Sequence, residues 1–361
     1  MDQRVQTGTR KRRKQRGPTV TDVAREAGVS AMTVSRVING DAHVQDKTRE
    51  RVQAAVASLG YVPNQAARSL AGGRHCRIAL LHSNPSAAYL SEFLVGSLAG
   101  ASEADAQLVV VPWKDGTRAQ DIVLELVAGR IDAVLLPAPL CDDPQLAADL
   151  KQAGLPTMQI GTPCPLQGGF VVTICDEDAA HAMTAHLLGL GHRRIGFIIG
   201  NNGQAASALR LAGYRKALTE AGMEADESLI VQGDFSYRSG LLAAEELLRL
   251  DSLPTAIFAS NDDMAAAVVA VCHRQGLNVP GDISVCGFDD TAMATTIWPE
   301  LTTIRQPVAD MAHKAVQLLV ARVMGDGQLT DGDADRLQLD FELVRRASDG
   351  PPGTGDRPGR A

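Results

Sequence analysis

Two periods run along this chain. Up to about residue 60 the apolar positions recur at helical spacing; beyond residue 77 short continuous apolar runs alternate with stretches of helical length. In the first part, Thr19 and Asp22 stand as Thr-x-x-Asp, a capping arrangement that starts a helix near Val20. Val23, Ala24 and Ala27 form its apolar stripe, and Gly28 supplies the positive φ that ends it. Ser30 is a good N-cap for a second helix whose inner face is Val34, Val37 and Ile38. A third helix is expected from about Asp46 to Leu59, with Val52, Ala55, Val56 and Leu59 inward. Two short helices around a tight turn, followed by a third, predict a helix-turn-helix.

In the second part, Ile78–Leu81, Leu108–Val111, Ala133–Leu136, Ile195–Ile199, Ala256–Ala259 and Ile283–Cys286 are expected as buried strands. Apolar strands alternating with helices imply parallel sheets covered on both faces. There are too many for one compact sheet, so the expectation is an α/β body of two doubly wound subdomains behind an all-α head. Ligands bind such sheets beyond the carboxyl ends of the strands, so two subdomains predict a cleft that closes on a small molecule.

Charge sharpens the picture. The 361 residues carry a net charge of −7, yet residues 1–76 hold 14 Lys/Arg against 6 Asp/Glu. A basic head on an acidic body is the electrostatic footprint of nucleic-acid binding. Arg10–Arg16 is nearly all basic and is expected to be a disordered arm attracting phosphates. No apolar run is long enough to span a bilayer, and the basic N-terminus lacks the apolar stretch of a secretory signal. The six cysteines show neither metal nor redox spacing, which predicts reduced thiols in a cytoplasmic protein. His181 and His186, five apart, do not share a helical face and are not expected to bind metal. No cofactor is called for.

Thr33–Asn39 (Thr-Val-Ser-Arg-Val-Ile-Asn), Thr48–Val52, Leu59–Asn64 and Ala66–Gly72 together resemble the lactose-repressor/galactose-repressor (LacI/GalR) family over roughly residues 18–347. The resemblance implies a homodimeric transcription regulator, nucleoid-associated, on a near-palindromic operator, with a periplasmic-binding-protein-like body. It implies a hinge helix at about Asn64–Leu70 that folds on the operator, Leu70 wedging a central minor-groove step. Asn64 suits a cap there, and Ala66 and Ala67 are small enough for two such helices to pack. In the recognition helix, Thr33, Ser35 and Asn39 are expected on phosphates and Ala31, Met32 and Arg36 on base edges, with Thr19 and Ser30 at the helix N-termini facing DNA. The expected organisation is an arm (1–17), a head (18–62), a hinge and linker (63–76), a body (77–347) and a disordered Pro/Gly-rich tail (348–361). Within the body, 77–175 and 305–335 are assigned to one subdomain and 176–304 and 336–347 to the other, with crossings near 175, 304 and 335. No leucine heptad follows, so a dimer is expected.

By the same resemblance, Arg210, Asn261 and Asp289 match effector-contacting positions, Ser83 and Gln306 match less regular ones, and Phe235 matches an aromatic that packs on a sugar. The chemistry is coherent: paired hydroxyls donate to a carboxylate, a guanidinium gives two parallel bonds, and an aromatic face covers sugar C–H surface. Trp298, before Pro299, is either a second stacking platform or a surface tryptophan. Gly161 stands where lactose-type members carry an acidic contact, and Asn84–Tyr89 departs from the usual sequence; both bear on effector identity. The expected activity is repression relieved by a sugar; the alternative is a regulator needing a corepressor, answering to a nucleobase, sugar acid or sugar phosphate. A hydrolase with two spaced carboxylates fits poorly, since Asp289 and Asp290 are adjacent, and an exported binding protein would carry no head.

Overall fold

The structure is a computed structural model that describes residues 18–38, 44–61, 75–114, 116–163, 166, 169–325 and 336–353. It falls into two compact units divided at Arg74–His75.

The first unit packs α1 (Val20–Ala27), α2 (Ala31–Ile38) and α3 (Asp46–Leu59) around Val23, Val34 and Val52, each wholly buried. The Asp22 carboxylate accepts from both the backbone N–H and the hydroxyl of Thr19, at 2.9 and 2.6 Å. Gly28 sits at φ 63°, and the Arg51 guanidinium donates to the Ala27 carbonyl at the end of α1. A cation at a helix C-terminus meets both the orphan carbonyls and the negative end of the dipole.

The second unit holds two six-stranded sheets. Its elements in chain order are β1 (Arg77–His82), α4 (Ala87–Glu103), β2 (Gln107–Pro112), α5 (Ala119–Ala128), β3 (Ala133–Pro137), α6 (Pro144–Gln152), β4 (Thr157–Ile160) and β5 (Phe170–Thr173). Then follow α7 (Asp176–Gly189), β6 (Ile195–Ile199), α8 (Ala205–Glu220), β7 (Ile230–Gln232), α9 (Tyr237–Leu247), β8 (Ala256–Ala259), α10 (Asp262–Arg274), β9 (Ser284–Asp289) and α11 (Ala292–Thr296). The chain ends with β10 (Thr302–Arg305), α12 (Val308–Met324), β11 (Arg336–Gln338) and β12 (Glu342–Val344). The first sheet runs β11-β5-β4-β3-β1-β2 and the second β12-β10-β9-β8-β6-β7. All pairings are parallel except β12 on β10. In both sheets the strand order reverses beside the first strand, between β1 and β3 and between β6 and β8.

Helices cover both faces, so central strands read as unbroken apolar runs: Ile78, Ala79, Leu80 and Leu81 are all fully buried. Two helix pairs approach unusually closely at glycine. A Cβ on Gly96 of α4 would lie 2.0 Å from the Ala309 carbonyl of α12, and one on Gly213 of α8 would lie 2.1 Å from the Glu177 carbonyl of α7.

The six expected strands are present, and six short ones join them. All six additions have only three or four residues, too few to show a period; three of them, β7, β11 and β12, are sheet edges, and β10 opens on two threonines. Those threonines are buried because they are paired: Thr303 donates to Asp262 at 2.7 Å, and Thr302 donates to Asp349.

The chain crosses between the sheets at 174–175, at 306–307 and at 339–341. The last replaces the crossing expected near 335, because β11 adds to β5 before the chain leaves the first sheet. The tail expected to be disordered from Ser348 is also corrected. Ser348 is fully buried, and its carbonyl accepts from the Val285 N–H at 2.8 Å. Asp349 meets His186 at 2.6 Å, and the Gly350 carbonyl meets His192 at 2.8 Å. Composition signalled Pro and Gly, but the first three residues bond to the start of β9 and to the two histidines.

Burial pulls the Asp349 carboxyl upward, yet the bonds from His186 and Thr302 prevail and hold it below the ordinary carboxylate range. Asp349→Ala is therefore expected to cost about 1–3 kcal/mol at pH 7, read by urea unfolding. The loss shrinks below about pH 4, where protonation removes the wild-type advantage. Equal stability at pH 7 would contradict this account of the segment.

Candidate functional site

Every strand end at the two reversal points faces one cleft. From the first sheet come Asn84, Ser86 and Tyr89 after β1, Ala138 after β3, and Gly161 after β4. From the second come Gln204, Ala206 and Arg210 after β6, Phe235 after β7, Asn261 after β8, Asp289 at the end of β9, and Gln306 after β10. Asp176, at the first crossing, completes the wall.

Arg210 is the centre. It lies in the second turn of α8, 5% exposed, its guanidinium 3.5 Å from the centroid of the Phe288 ring. Nε donates to Asp176 at 2.8 Å, Nη1 donates to the Ser260 carbonyl, and Nη1 lies 3.7 Å from Asp289. Asp289 in turn accepts from the Gln306 amide at 2.6 Å. Two carboxylates thus share one guanidinium. Burial pushes Asp289 up to about 7, against the pull of Arg210 and the Gln306 bond. Burial likewise raises Asp176, with Arg210 opposing. Behind them Asp262 is wholly buried and pushed far up, accepting from Thr291 N–H and Thr303.

The site stores backbone strain. Asp289 and Asp290 have φ of 105° and 56°, and Phe235 has 71°, a region non-glycine residues rarely occupy. Asn261 holds the Phe235 turn, donating to its carbonyl at 2.9 Å while capping α10 through the Met264 N–H at 3.0 Å.

Of the expected effector contacts, Arg210, Phe235, Asn261, Asp289 and Gln306 line this cleft; Ser83 does not. The strand stops at His82, and the turn after it presents Asn84 and Ser86 instead, with Asn84 bonded to the Ala138 carbonyl. Phe235 is 8% exposed, and its ring lies over Gly200, where a Cβ would fall 2.0 Å away, so only part of it faces the cleft. Trp298 is 79% exposed and lines none of it. The aromatic that does complete the opposite wall is Tyr89, on the first turn of α4; its signal was the unusual Asn84–Tyr89 stretch. Asp176 and Gln204 were not anticipated, because each stands beside a crossing or helix start rather than at a legible strand end.

Two bonds cross the cleft: Ser86 donates to Asp263 at 2.5 Å, and the Ala205 N–H donates to Asp142 at 3.0 Å. About 30 Å³ is free inside. That admits water but falls short of the roughly 300 Å³ or more of small-molecule pockets, so a ligand enters only as the two walls part.

On the head, Ala31, Met32 and Arg36 occupy the exposed side of α2, with Met32 68% exposed. Ser30 accepts from the Thr33 N–H at 3.1 Å and starts that helix. Thr19 and Ser30 are exposed, and Thr33 and Ser35 are half-buried. Asn39, Asn64, Ala67 and Leu70, with the basic arm and the hinge, lie outside the described residues.

Residues 19–64 match the model for bacterial regulatory proteins of the lacI family, and residues 184–348 match a periplasmic binding protein-like domain. The HTH-type transcriptional regulator CelR of Thermobifida fusca is 38% identical over 342 residues, covering 93% of this chain and 99% of that protein. The lactose operon repressor of Escherichia coli (strain K12) is 32% identical over 340 residues, covering 93% and 92%. This chain belongs to the LacI family. Among solved structures, a CelR–cellobiose complex superposes with a TM-score of 0.70 at 36% identity, over 92% of this chain and 99% of that one. The lac repressor dimer bound to operator and the anti-inducer ONPF gives 0.75 at 31%, over 93% and 100%. The LacI-family chain is thus a DNA-binding transcriptional regulator, with a helix-turn-helix head and a two-sheet body. Among the described residues no helix is long and apolar enough to cross a membrane, and no group of His, Cys, Asp and Glu is placed to hold a metal. His181 and His186 are engaged by Glu220 and Asp349.

The raised Asp289 fixes a sign. Its native form holds a proton up to about pH 7, whereas an unfolded aspartate releases it near about 3.9. The wild type therefore loses stability as pH rises through that window. Asp289→Asn lacks this loss. It is expected to gain on the wild type between pH 5 and pH 8, by on the order of 1–4 kcal/mol, in urea unfolding. A difference independent of pH would contradict the buried, protonated carboxyl.

Proposed function

We propose that this regulator represses carbohydrate-utilisation genes from the cytoplasm and nucleoid, and leaves its operator when a neutral saccharide enters the cleft. The reading rests on charge. Among the described residues one guanidinium lines the cleft, Arg210, and it is already engaged by Asp176, Ser260 and Asp289, with Asp263 and Asp142 at the rim. An added phosphate or carboxylate would meet no unengaged cation among the lining residues and, as Asp289 ionises near pH 7, an excess of negative charge. A polyol meets what it needs: carboxylates that accept paired hydroxyl donors, amides of Asn84, Gln204 and Gln306 that do both, and Tyr89 as an apolar wall. This favours a sugar over a sugar acid, a sugar phosphate or a charged corepressor. The relative solved as a cellobiose complex supports the class. Gly161 leaves the wall beside β4 without a side chain, which suits a saccharide longer than one ring.

On the DNA side, a homodimer sets one recognition helix in each half-site of a near-palindromic operator. Thr33, Ser35 and Asn39 position it on phosphates, Thr19 and Ser30 offer the helix N-termini, and Ala31, Met32 and Arg36 meet base edges. Asn64, Ala67 and Leu70 belong to a hinge that pairs across the dimer and opens the minor groove. Parting of the cleft walls breaks the Ser86–Asp263 and Ala205–Asp142 bonds and shifts the subdomains against each other, which disfavours hinge pairing.

The test is capture of operator fragments from genomic DNA, followed by release with neutral saccharides, cellobiose first. Release of about 5–150-fold is expected, growing as pH rises from 6 to 8 and Asp289 ionises. Arg210→Ala and Asp289→Ala should hold the operator throughout. Arg36→Ala should weaken the cognate operator by about 1–3 kcal/mol while leaving non-cognate DNA nearly unchanged. Tighter binding on adding ligand would establish corepression, and release only by anionic sugars would overturn the charge argument.

A further inference from the structure

Asp290 does not line the cleft, yet two arginines hold it just behind the wall. It is 6% exposed, accepts from Arg305 Nε at 2.7 Å, and lies 2.5 Å from Arg346 Nη2. Neither arginine is placed at random. Arg305 is the last residue of β10, immediately before the second crossing, and its other arm donates to Glu342 at 2.6 Å. Glu342 is the first residue of β12, immediately after the third crossing. Arg346, past the end of β12, is itself anchored: it donates to the Leu301 carbonyl, and its backbone N–H donates to Thr302, both at 2.8 Å. In register, Arg305 stands beside Asp289 on one side and Glu342 on the other.

The two left-handed residues Asp289 and Asp290 form one turn. Its first carboxylate points into the cleft, and its second is gripped by Arg305 at the entry to the second crossing and by Arg346 beyond β12. The geometry points to Asp290, Arg305 and Arg346 as positioning residues: they hold the strained turn so that Asp289 faces the cleft, and they tie its orientation to the segments that bend when the subdomains move. The clamp offsets part of the cost of two adjacent residues at positive φ, about 1–3 kcal/mol each, and without it the turn relaxes toward solvent. Movement at either crossing pulls on Arg305 or Glu342 and is delivered to the turn. Gln306, one residue beyond Arg305, bonds Asp289 itself, so the same crossing holds the turn at both carboxylates.

The role of Asp289 as a ligand contact rests on the proposed function; the clamp does not, and the first test needs no ligand. Aspartate labelled with 13C at the carboxyl, with the Asp289 signal assigned by Asp289→Asn, is titrated in the full chain. Removing a nearby cation by charge alone raises a carboxyl midpoint; releasing a buried carboxylate into water lowers it. In Arg346→Gln the Asp289 midpoint is expected to fall by about one pH unit or more. Arg305→Gln, at a half-exposed site that tolerates substitution, is expected to shift it the same way. A midpoint that rises or stays put in both variants overturns the proposal.

The second test is a cycle with cellobiose by calorimetry. Arg346→Gln is expected to weaken binding about tenfold in the wild-type background and less than twofold in Asp289→Asn, whereas a merely structural loss would appear equally in both. Absence of cellobiose binding to the wild type, and of other neutral disaccharides, would count against the proposed effector and leave the titration to decide the clamp.

Discussion

One buried guanidinium holding two carboxylates is the constraint on which the body turns. Arg210 is almost wholly buried, so its charge must be met within the protein, and Asp176 and Asp289 come from different elements to meet it. Asp176 opens α7 at the first crossing, and Asp289 closes β9 in the middle of the second sheet. Pairing them fixes the cleft's inner wall. Stacking on Phe288 below and the Ser260 carbonyl beside it leave the guanidinium no alternative orientation. As Asp289 ionises near pH 7, negative charge comes to exceed the single guanidinium, and with it comes the preference for a neutral hydroxyl-rich ligand.

A second layer of pairing makes this inner wall responsive. Asp262 is fully buried and satisfied by Thr291 and Thr303, which locks α10 to β10. Asp290 is gripped from β10 and from the segment after β12. Among the described residues the cleft itself is bridged by two hydrogen bonds, Ser86 to Asp263 and Ala205 to Asp142. The strong networks therefore lie within the second sheet and its crossings, and the weak ones lie across the gap. Such an arrangement moves as two bodies, with strain concentrated where the chain crosses.

Much of this was legible in the sequence, and the limits were physical. The head was readable because its signals are local: a Thr-x-x-Asp start, Gly28 at the turn, Ser30 as a cap. Arg51, which caps α1 from the third helix, escaped notice because nothing local marks a contact spanning 24 positions. Long apolar strands declared themselves; Thr302–Arg305 did not, since its two threonines are buried only through distant partners, and Glu342–Val344 is a three-residue edge strand with no buried face. The family resemblance supplied Arg210, Asn261, Asp289 and, among its less regular contacts, Gln306. Asp176 and Tyr89 emerged only when the fold brought the first crossing and α4 to the same wall. The tail misled because Pro and Gly composition says nothing about a Ser-Asp pair that reaches His186 and the backbone of Val285.

The central claim is that one neutral ligand in this cleft and operator DNA on the head compete through the protein between them. Linkage makes that claim reciprocal: each must weaken the other by the same factor. The most direct measurement is the affinity of the saccharide for the free protein and for the protein saturated with operator. The account predicts weaker binding to the operator complex, by about 5–150-fold and equal to the factor by which saccharide weakens operator binding. Equal affinity in the two states, or tighter binding to the operator complex, would contradict it.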